Sequence, residues 1–228
     1  MSDHVRDLVS VREATDRLLA AVSTLDNAAV AEPSRLPGWS RGHVLAHLAR
    51  NADALVNVLE GRPMYVSGEA RDADIERDAP RGLRAQVDDV RESAERFQRV
   101  GAVDADWSRT VELRNGVTDA ASRIPFRRLA EVELHHVDLG IGYGLEDLPA
   151  DFTHREIDFL ADRFTGHKDV PPLALATDSD RRWTSGGADG KPLAVRGRAA
   201  DLLGWLCGRR DGTGLTVDGG LLPALPPL

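Results

Sequence analysis

Apolar residues recur every three or four positions along most of the first 165 residues, and this pattern restricts the fold more than any other feature. The spacing is that of helices with one buried face. It predicts helices over residues 4–24, 41–60, 83–100, 125–140 and 151–165. Aromatic residues make up only 5% of the chain, and Ala, Leu and Val supply most of the hydrophobic residues. This composition favours helices over an all-β domain.

Proline and glycine residues separate the predicted helices. Ser40 follows a Pro-Gly pair and is placed to cap the second helix, while Gly101 is placed to end the third in the left-handed conformation. The polar stretch around Tyr65, Gly68 and Arg71 predicts a long loop that could include a helical turn. Residues 114–117 carry a turn signal within a segment that is extended or irregular.

The pattern changes after residue 166. Short apolar runs bounded by Gly and Pro predict strands at 173–176, 182–184, 193–195 and 215–217, with a helix over 198–207. We therefore predict an α+β protein with an N-terminal helical bundle, residues 1–166, and a small C-terminal α/β domain, residues 167–228.

Charge and cysteine content exclude several classes of protein. The formal charge is −8 and the basic residues do not cluster, so binding of nucleic acid through phosphate contacts is not expected. All but two of the 29 basic residues are arginine, a residue suited to binding carboxylates. The chain has one cysteine, no visible export signal and no apolar run long enough to span a membrane. A cytoplasmic protein is expected.

Two pairs of residues share helical faces and could build a metal site. His43 and His47 are four residues apart on the second helix, and Glu131 and His135 repeat that spacing on the helix after residue 125. Inward-facing imidazoles and carboxylates on neighbouring helices are how bundles bind metals. Spacing alone leaves either His43 or His47 as the ligand, and either His135 or His136, although Glu131 shares a face only with His135. Buried, hydrogen-bonded histidines are the alternative to a metal site.

Four other residues carry possible chemistry, each with a simpler alternative. Asp138 could accept a hydrogen bond from the imidazole of His135, or be an exposed residue near a helix end. Arg209 and Arg71 could bind an anion in a pocket or lie on the surface. Cys207 stands among apolar residues and is better explained as a buried small residue than as a nucleophile.

Common enzyme fingerprints are absent from the sequence. It has no G-x-S-x-G element, no P-loop and no dinucleotide-binding glycine pattern. These absences disfavour hydrolase, NTPase and dinucleotide-dependent functions.

Four segments resemble one enzyme family over nearly the whole chain. They are LPGWSRGHVLAHLARNADAL, GRPMYVSGEARDADI, RLAEVELHHVDLG and LCGRRDG, and they are similar to the mycothiol-dependent maleylpyruvate isomerases. The first and third are shared among the DinB-like metal-dependent four-helix proteins, so they indicate fold and metal site. The second is more particular to the isomerases and bears on the substrate.

The resemblance assigns roles to individual residues. It implies that His47, Glu131 and His135 are the zinc ligands and that Arg209 is important for activity. It makes His43 a residue that supports the ligands or packs near them, and it places the site in a cleft between a DinB-like bundle and the small α/β domain. The sequence departs from the family pattern at Arg210, where a smaller residue is expected, and in its doubled histidine at position 136.

We expect, on this resemblance, an isomerase that converts maleylpyruvate to fumarylpyruvate with mycothiol and zinc or another divalent metal. The substrate is a small dicarboxylate, for which Arg209 is the first candidate ligand and Arg71 the second. One alternative is a mycothiol S-transferase of the same fold, which would consume thiol. Another is a non-enzymatic helical domain, which would hold no stoichiometric metal. A monomer is expected.

Overall fold

The structure, a computed structural model, describes residues 3–227, which form two compact units, residues 3–143 and 144–227. Helices dominate the N-terminal unit, and a two-stranded hairpin precedes the last of them. The elements are α1 (Asp3–Val22), α2 (Asn27–Ala31), α3 (Arg41–Leu59), α4 (Gly68–Asp78), α5 (Leu83–Gly101), β1 (Thr110–Glu112), β2 (Thr118–Ala120) and α6 (Ile124–Asp138).

The four long helices form a bundle. Helix α1 packs against α5 and α6, and α3 packs against the same two helices, so the four helices enclose one core. The predicted helices at the corresponding positions are confirmed. Among residues 3–227 no helix combines the length and the apolar character that crossing a bilayer requires.

The predicted turn between β1 and β2 is confirmed. Asn115 and Gly116 both have positive φ angles, +61° and +72°. The two strands are antiparallel, with Thr110 opposite Ala120. Asn and Gly tolerate the left-handed region, which explains why this dipeptide marks the turn in the sequence.

The prediction of a loop around Gly68 is wrong, because α4 covers Gly68–Asp78. Ser67 caps this helix, its Oγ accepting a hydrogen bond from the Ala70 N–H at 3.1 Å. The helix buries little apolar surface, chiefly through Ile75. Hydrophobic periodicity is therefore too weak to reveal the helix, and the capping serine is its main sequence signal.

The prediction for Gly101 is also wrong. Gly101 is the last residue of α5 rather than a left-handed residue beyond it. A Cβ atom at this position would lie 2.5 Å from Cδ2 of Leu8. The glycine therefore allows α1 to approach α5 closely and does not serve as a chain reversal.

The C-terminal unit is a small sheet with helices. It contains α7 (Ala150–Phe164), β3 (Leu173–Thr177), β4 (Arg182–Ser185), β5 (Leu193–Gly197), α8 (Ala199–Leu206) and β6 (Thr216–Asp218). The strand order is β4-β3-β5-β6, with β3 and β5 parallel and both outer pairs antiparallel. The predicted fold class, a helical bundle followed by a small α/β region, is confirmed.

The contacts of α7 bear on the division of the chain. Helix α7 packs against α8 and β4, and Oγ of Ser185 donates a hydrogen bond to the carbonyl of Ala161 at 2.6 Å. By these contacts α7 belongs with the C-terminal sheet. The domain boundary between residues 166 and 167 stays a prediction.

A close approach fixes the beginning of α3 against the end of α4. A Cβ atom on Gly42 would lie 2.2 Å from the carbonyl oxygen of Ala79. The buried amide of Gln86 donates to the carbonyls of Asp78 and Ala79 at 2.9 and 3.2 Å, and to that of Gly42 at 3.3 Å. Only glycine fits here without moving the backbone of α4.

We expect Gly42→Ala to destabilise the protein by ~1–3 kcal/mol, because the added methyl group overlaps a buried backbone oxygen. Alanine normally favours a helix over glycine by about 1 kcal/mol, so the expected sign is opposite to the intrinsic preference. Gly68→Ala is the control, since a Cβ there would meet only NH2 of Arg114, at 4.0 Å. Chemical denaturation measures both, and equal stabilities of the two variants would contradict the prediction.

Candidate metal centre

Three side chains that could hold a metal ion meet between α3 and α6. His47 on α3 and His135 on α6 direct their Nε2 atoms at one carboxylate oxygen, Oε2 of Glu131, at 3.0 and 3.2 Å. The possible ligand atoms of the three residues all lie within 4.8 Å of one another. We call His47, Glu131 and His135 the triad.

Local sequence determines where each residue of the triad points. Ser40 begins α3 with a reciprocal cap, its Oγ accepting from the His43 N–H while its own N–H donates to Nδ1 of His43. This start places His47 on the buried face, where it is only 6% exposed. On α6 the four-residue spacing brings Glu131 and His135 onto one face. The packing of α3 against α6 then joins the two faces.

Asp138 orients the imidazole of His135. Nδ1 of His135 lies 2.8 Å from Oδ2 of Asp138, a carboxylate that is almost completely buried. Since an ionised carboxylate only accepts, Nδ1 carries a proton, and Nε2 is the ring nitrogen that faces the triad. This carboxylate–histidine arrangement is the one that typically supports a metal-binding imidazole.

His47 has a different partner. NH2 of Arg71, a residue of α4, lies 3.2 Å from Nδ1 of His47. A guanidinium can only donate, so Nδ1 accepts here and the Nε2 proton points to Glu131. Ligation of a metal through Nε2 requires the proton on Nδ1 instead. Metal binding would therefore break the contact between His47 and Arg71.

The triad fits a divalent metal by the chemistry of its donors. Two imidazole nitrogens and one carboxylate oxygen converge, a set that leaves a coordination position open on zinc. His135 already carries a proton on Nδ1 and reaches the ligating form by releasing the Nε2 proton that it donates to Glu131, and His47 reaches it by moving one proton within its ring.

Burial and hydrogen bonding shift the ionisation of the triad in opposite directions. Burial by itself raises the pKa of Glu131, but hydrogen bonds from His135 and His47 outweigh it and hold this pKa well below its usual value. Burial lowers the pKa of His47. Burial also lowers the pKa of His135, but hydrogen bonds to Asp138 and Glu131 raise it above the usual value. Glu131 is therefore ionised at neutral pH.

The two other histidines that the sequence left open lie elsewhere. His43 bonds to Ser40 and its Nε2 lies 3.4 Å from Oε2 of Glu76, so both ring nitrogens face away from the triad. The ring of His136 stacks on Tyr143 at 4.0 Å between centroids. The geometry thus selects His47 and His135, while a supporting role for His43 stays a prediction.

Three neighbours of the triad were not predicted from the sequence to be part of the site. The ring of Trp39 lies 5.6 Å from that of His47, and the ring of Tyr65 lies 6.0 Å from Cζ of Arg71. Tyr65 also lines a concavity of about 690 Å³. Both aromatic residues lie outside the periodic segments, so no argument from helical faces could place them. Arg128 shares a face of α6 with Glu131, and its spacing of three residues was an available signal.

Arg209 and Cys207 belong to the C-terminal unit. NH1 of Arg209 donates to the carbonyl of Cys207 at 3.1 Å, so the guanidinium lies over the end of α8. Cys207 is buried, as predicted, and burial raises the pKa of its thiol, which disfavours a thiolate nucleophile at this position. A role for Arg209 in activity stays a prediction.

Comparisons with known proteins agree in one assignment. Residues 11–140 match the family model described as "Mycothiol maleylpyruvate isomerase N-terminal domain", and residues 147–227 match "MDMPI C-terminal domain". No curated protein sequence matches the chain. Crystal structures of the mycothiol-dependent maleylpyruvate isomerase and of a histidine-to-alanine mutant of it are 28% identical, with TM-scores of 0.88 and 0.89. Each alignment covers 99% of this chain and 97% of the other, and these neighbours are isomerases. The chain belongs to the mycothiol-dependent maleylpyruvate isomerase family.

Proposed function

We propose that the protein catalyses the mycothiol-dependent cis–trans isomerisation of maleylpyruvate to fumarylpyruvate. One observation carries the proposal: a chain of this family directs two imidazole nitrogens and a carboxylate oxygen at a single point between α3 and α6. The reaction fits gentisate-type degradation of aromatic compounds. The cytoplasmic location and the monomeric state expected from the sequence stay predictions.

The reaction needs a nucleophile that adds and leaves. A thiolate forms a C–S bond to the conjugated double bond, and the displaced electron pair moves to the ketone oxygen as an enolate. The former double bond is then single and can rotate. Return of the electron pair expels the thiolate and restores the double bond in the trans geometry, so no thiol is consumed. A thiol with a pKa of about 8.5 is only slightly ionised at neutral pH, so the site must favour the thiolate.

The residues that would hold the metal are His47, Glu131 and His135. Zinc is the first candidate, although nitrogen and carboxylate ligands also suit iron, nickel or manganese. Bound there, the metal would supply the Lewis acidity that keeps a thiol ionised at neutral pH. Asp138 holds the Nδ1 proton of His135 and so keeps Nε2 free for ligation.

Arginines would bind the anionic substrate. The guanidinium of Arg71 is 3.2 Å from His47 and loses that partner when His47 takes the metal-binding tautomer, so it becomes available to a carboxylate. Arg209 is the candidate for holding the second carboxylate or for stabilising the enolate. Such local cations are needed because the net charge of −8 repels a dianion.

The purified protein is expected to convert maleylpyruvate only when mycothiol is present, with free thiol undiminished afterwards, because the thiolate leaves after rotation. Ultraviolet absorbance measures the product, and a thiol reagent measures the remaining mycothiol. Stoichiometric loss of thiol would indicate a mycothiol S-transferase instead. Absence of both stoichiometric metal and conversion would favour a non-enzymatic helical domain.

Replacement of His47 by Ala should abolish both stoichiometric metal and isomerase activity, because two protein ligands remain where three are needed. Metal analysis after dialysis, together with the isomerase assay, tests this. His43→Ala is the matched control on the same helix. It removes part of the cap at Ser40, which costs about 1 kcal/mol of stability, but leaves the triad intact. Equal metal content in the two variants would refute the ligand assignment.

Changing Arg71 to Met should raise the KM for maleylpyruvate about tenfold without reducing the metal content, because a charge-assisted contact with a substrate carboxylate is lost. Steady-state kinetics on the metal-loaded protein provides the measurement. Arg77→Met is the control on the same helix, since Arg77 is exposed and pairs with Asp78. An unchanged KM in Arg71→Met would remove Arg71 from the substrate site.

A further inference from the structure

A buried arginine lies beside the triad without an anionic partner. Arg128 on α6 is 0% exposed, and its NH1 donates to the carbonyl of Leu48 at 2.9 Å and to Oδ1 of Asn51 at 2.8 Å. Its Nε and NH2 atoms have no hydrogen-bond partner among residues 3–227. None of the ion pairs within that range includes Arg128. Only one of the three guanidinium nitrogens, NH1, therefore has acceptors, and both of those are neutral.

Folding alone does not explain this residue. A buried guanidinium with two nitrogens unsatisfied costs free energy, and an apolar side chain of similar size would pack the same space without that cost. A cation kept under these conditions points to a function of its charge.

Arg128 is connected to both helices that carry the triad. Leu48, which accepts from Arg128, follows His47 directly on α3, and Glu131 lies one turn after Arg128 on the same face of α6. The guanidinium is closed to solvent, so it is not a ligand of the substrate. For the same reason water and salt screen its field only weakly.

Arg128 keeps its charge at neutral pH despite burial. Burial lowers its pKa to about 10, and the charge of Glu131 opposes the shift. A fixed positive charge beside the triad would repel a metal cation there and attract an anion that binds to that metal.

We propose that Arg128 is a positioning residue whose buried charge selects an anionic ligand, a thiolate over a neutral thiol, at the metal position of the triad. The inference rests on the proposed metal site but not on the identity of the substrate. It predicts discrimination by charge, which a purely structural role would not produce.

The test is ligand binding to the cobalt-substituted full-length protein, followed by its visible spectrum. Azide is the anionic probe and imidazole the neutral one. Arg128→Gln keeps a donor but removes the charge, so it should weaken azide binding about tenfold while imidazole binding stays within about threefold of the parent protein. Cobalt affinity should be unchanged or higher, because a repulsive charge is gone.

The control is Arg127→Gln, which removes a charge from the same helix where Arg127 pairs with Asp119 at 2.7 Å. It should bind both probes like the parent protein. Equal azide affinity in Arg128→Gln and the parent overturns the proposal, and so does equal weakening of azide and imidazole, which would indicate distortion of the site. If Arg128→Gln does not fold, Arg128→Lys decides: it retains the charge, so azide binding about tenfold weaker than the parent's overturns the proposal.

Failure of the metal assignment would look different. A parent protein that binds no cobalt at the triad overturns the proposed metal site and this inference together. If the parent protein binds cobalt at the triad but Arg128→Gln changes azide and imidazole binding equally, or changes neither, only the role of Arg128 is overturned.

Discussion

One carboxylate oxygen of Glu131 accepts hydrogen bonds from imidazoles on two different helices, and the arrangement of the bundle around the site depends on it. Oε2 is 3.0 Å from His47 and 3.2 Å from His135, on a side chain that is only partly exposed. A carboxylate that is partly removed from water is stabilised when such donors replace the lost water. The observed register of α3 against α6 brings His47 to the oxygen that His135 of the same helix already contacts, and so gathers three possible metal ligands.

Close contacts hold α3 in place against both of its neighbours, α4 and α6. Gly42 lets the start of α3 lie against the end of α4, where a side chain would collide with Ala79. The carbonyl of Asp138 accepts from the Arg35 N–H at 2.8 Å and so ties the end of α6 to the segment before α3. Arg128 joins the middle of the same two helices. The site is thus built on helices rather than loops, which suits ligands that must keep a fixed geometry.

The sequence predicted the long helices well because each one buries a continuous apolar face. It could not predict α4, whose residues are mostly polar and whose start depends on a single capping serine, Ser67. It misassigned Gly101, since a glycine at a close helix contact and a glycine at a helix end look alike in a sequence. Shared faces limited the possible ligands on α6, but only the packing of α3 against α6 chooses His47 over His43.

The balance of charge explains why a site of this kind suits anionic ligands. Two carboxylates, Glu131 and Asp138, and two guanidinium groups, Arg71 and Arg128, lie in or beside the triad, so these four groups cancel. A divalent cation at the triad adds two positive charges that the protein does not neutralise locally. A thiolate and a carboxylate supply the missing negative charge, whereas a neutral thiol and a neutral substrate would leave it unbalanced. The same arithmetic would account for the proposed binding of a dianion by an acidic protein, because a buried local field is screened far less than the net charge of the surface.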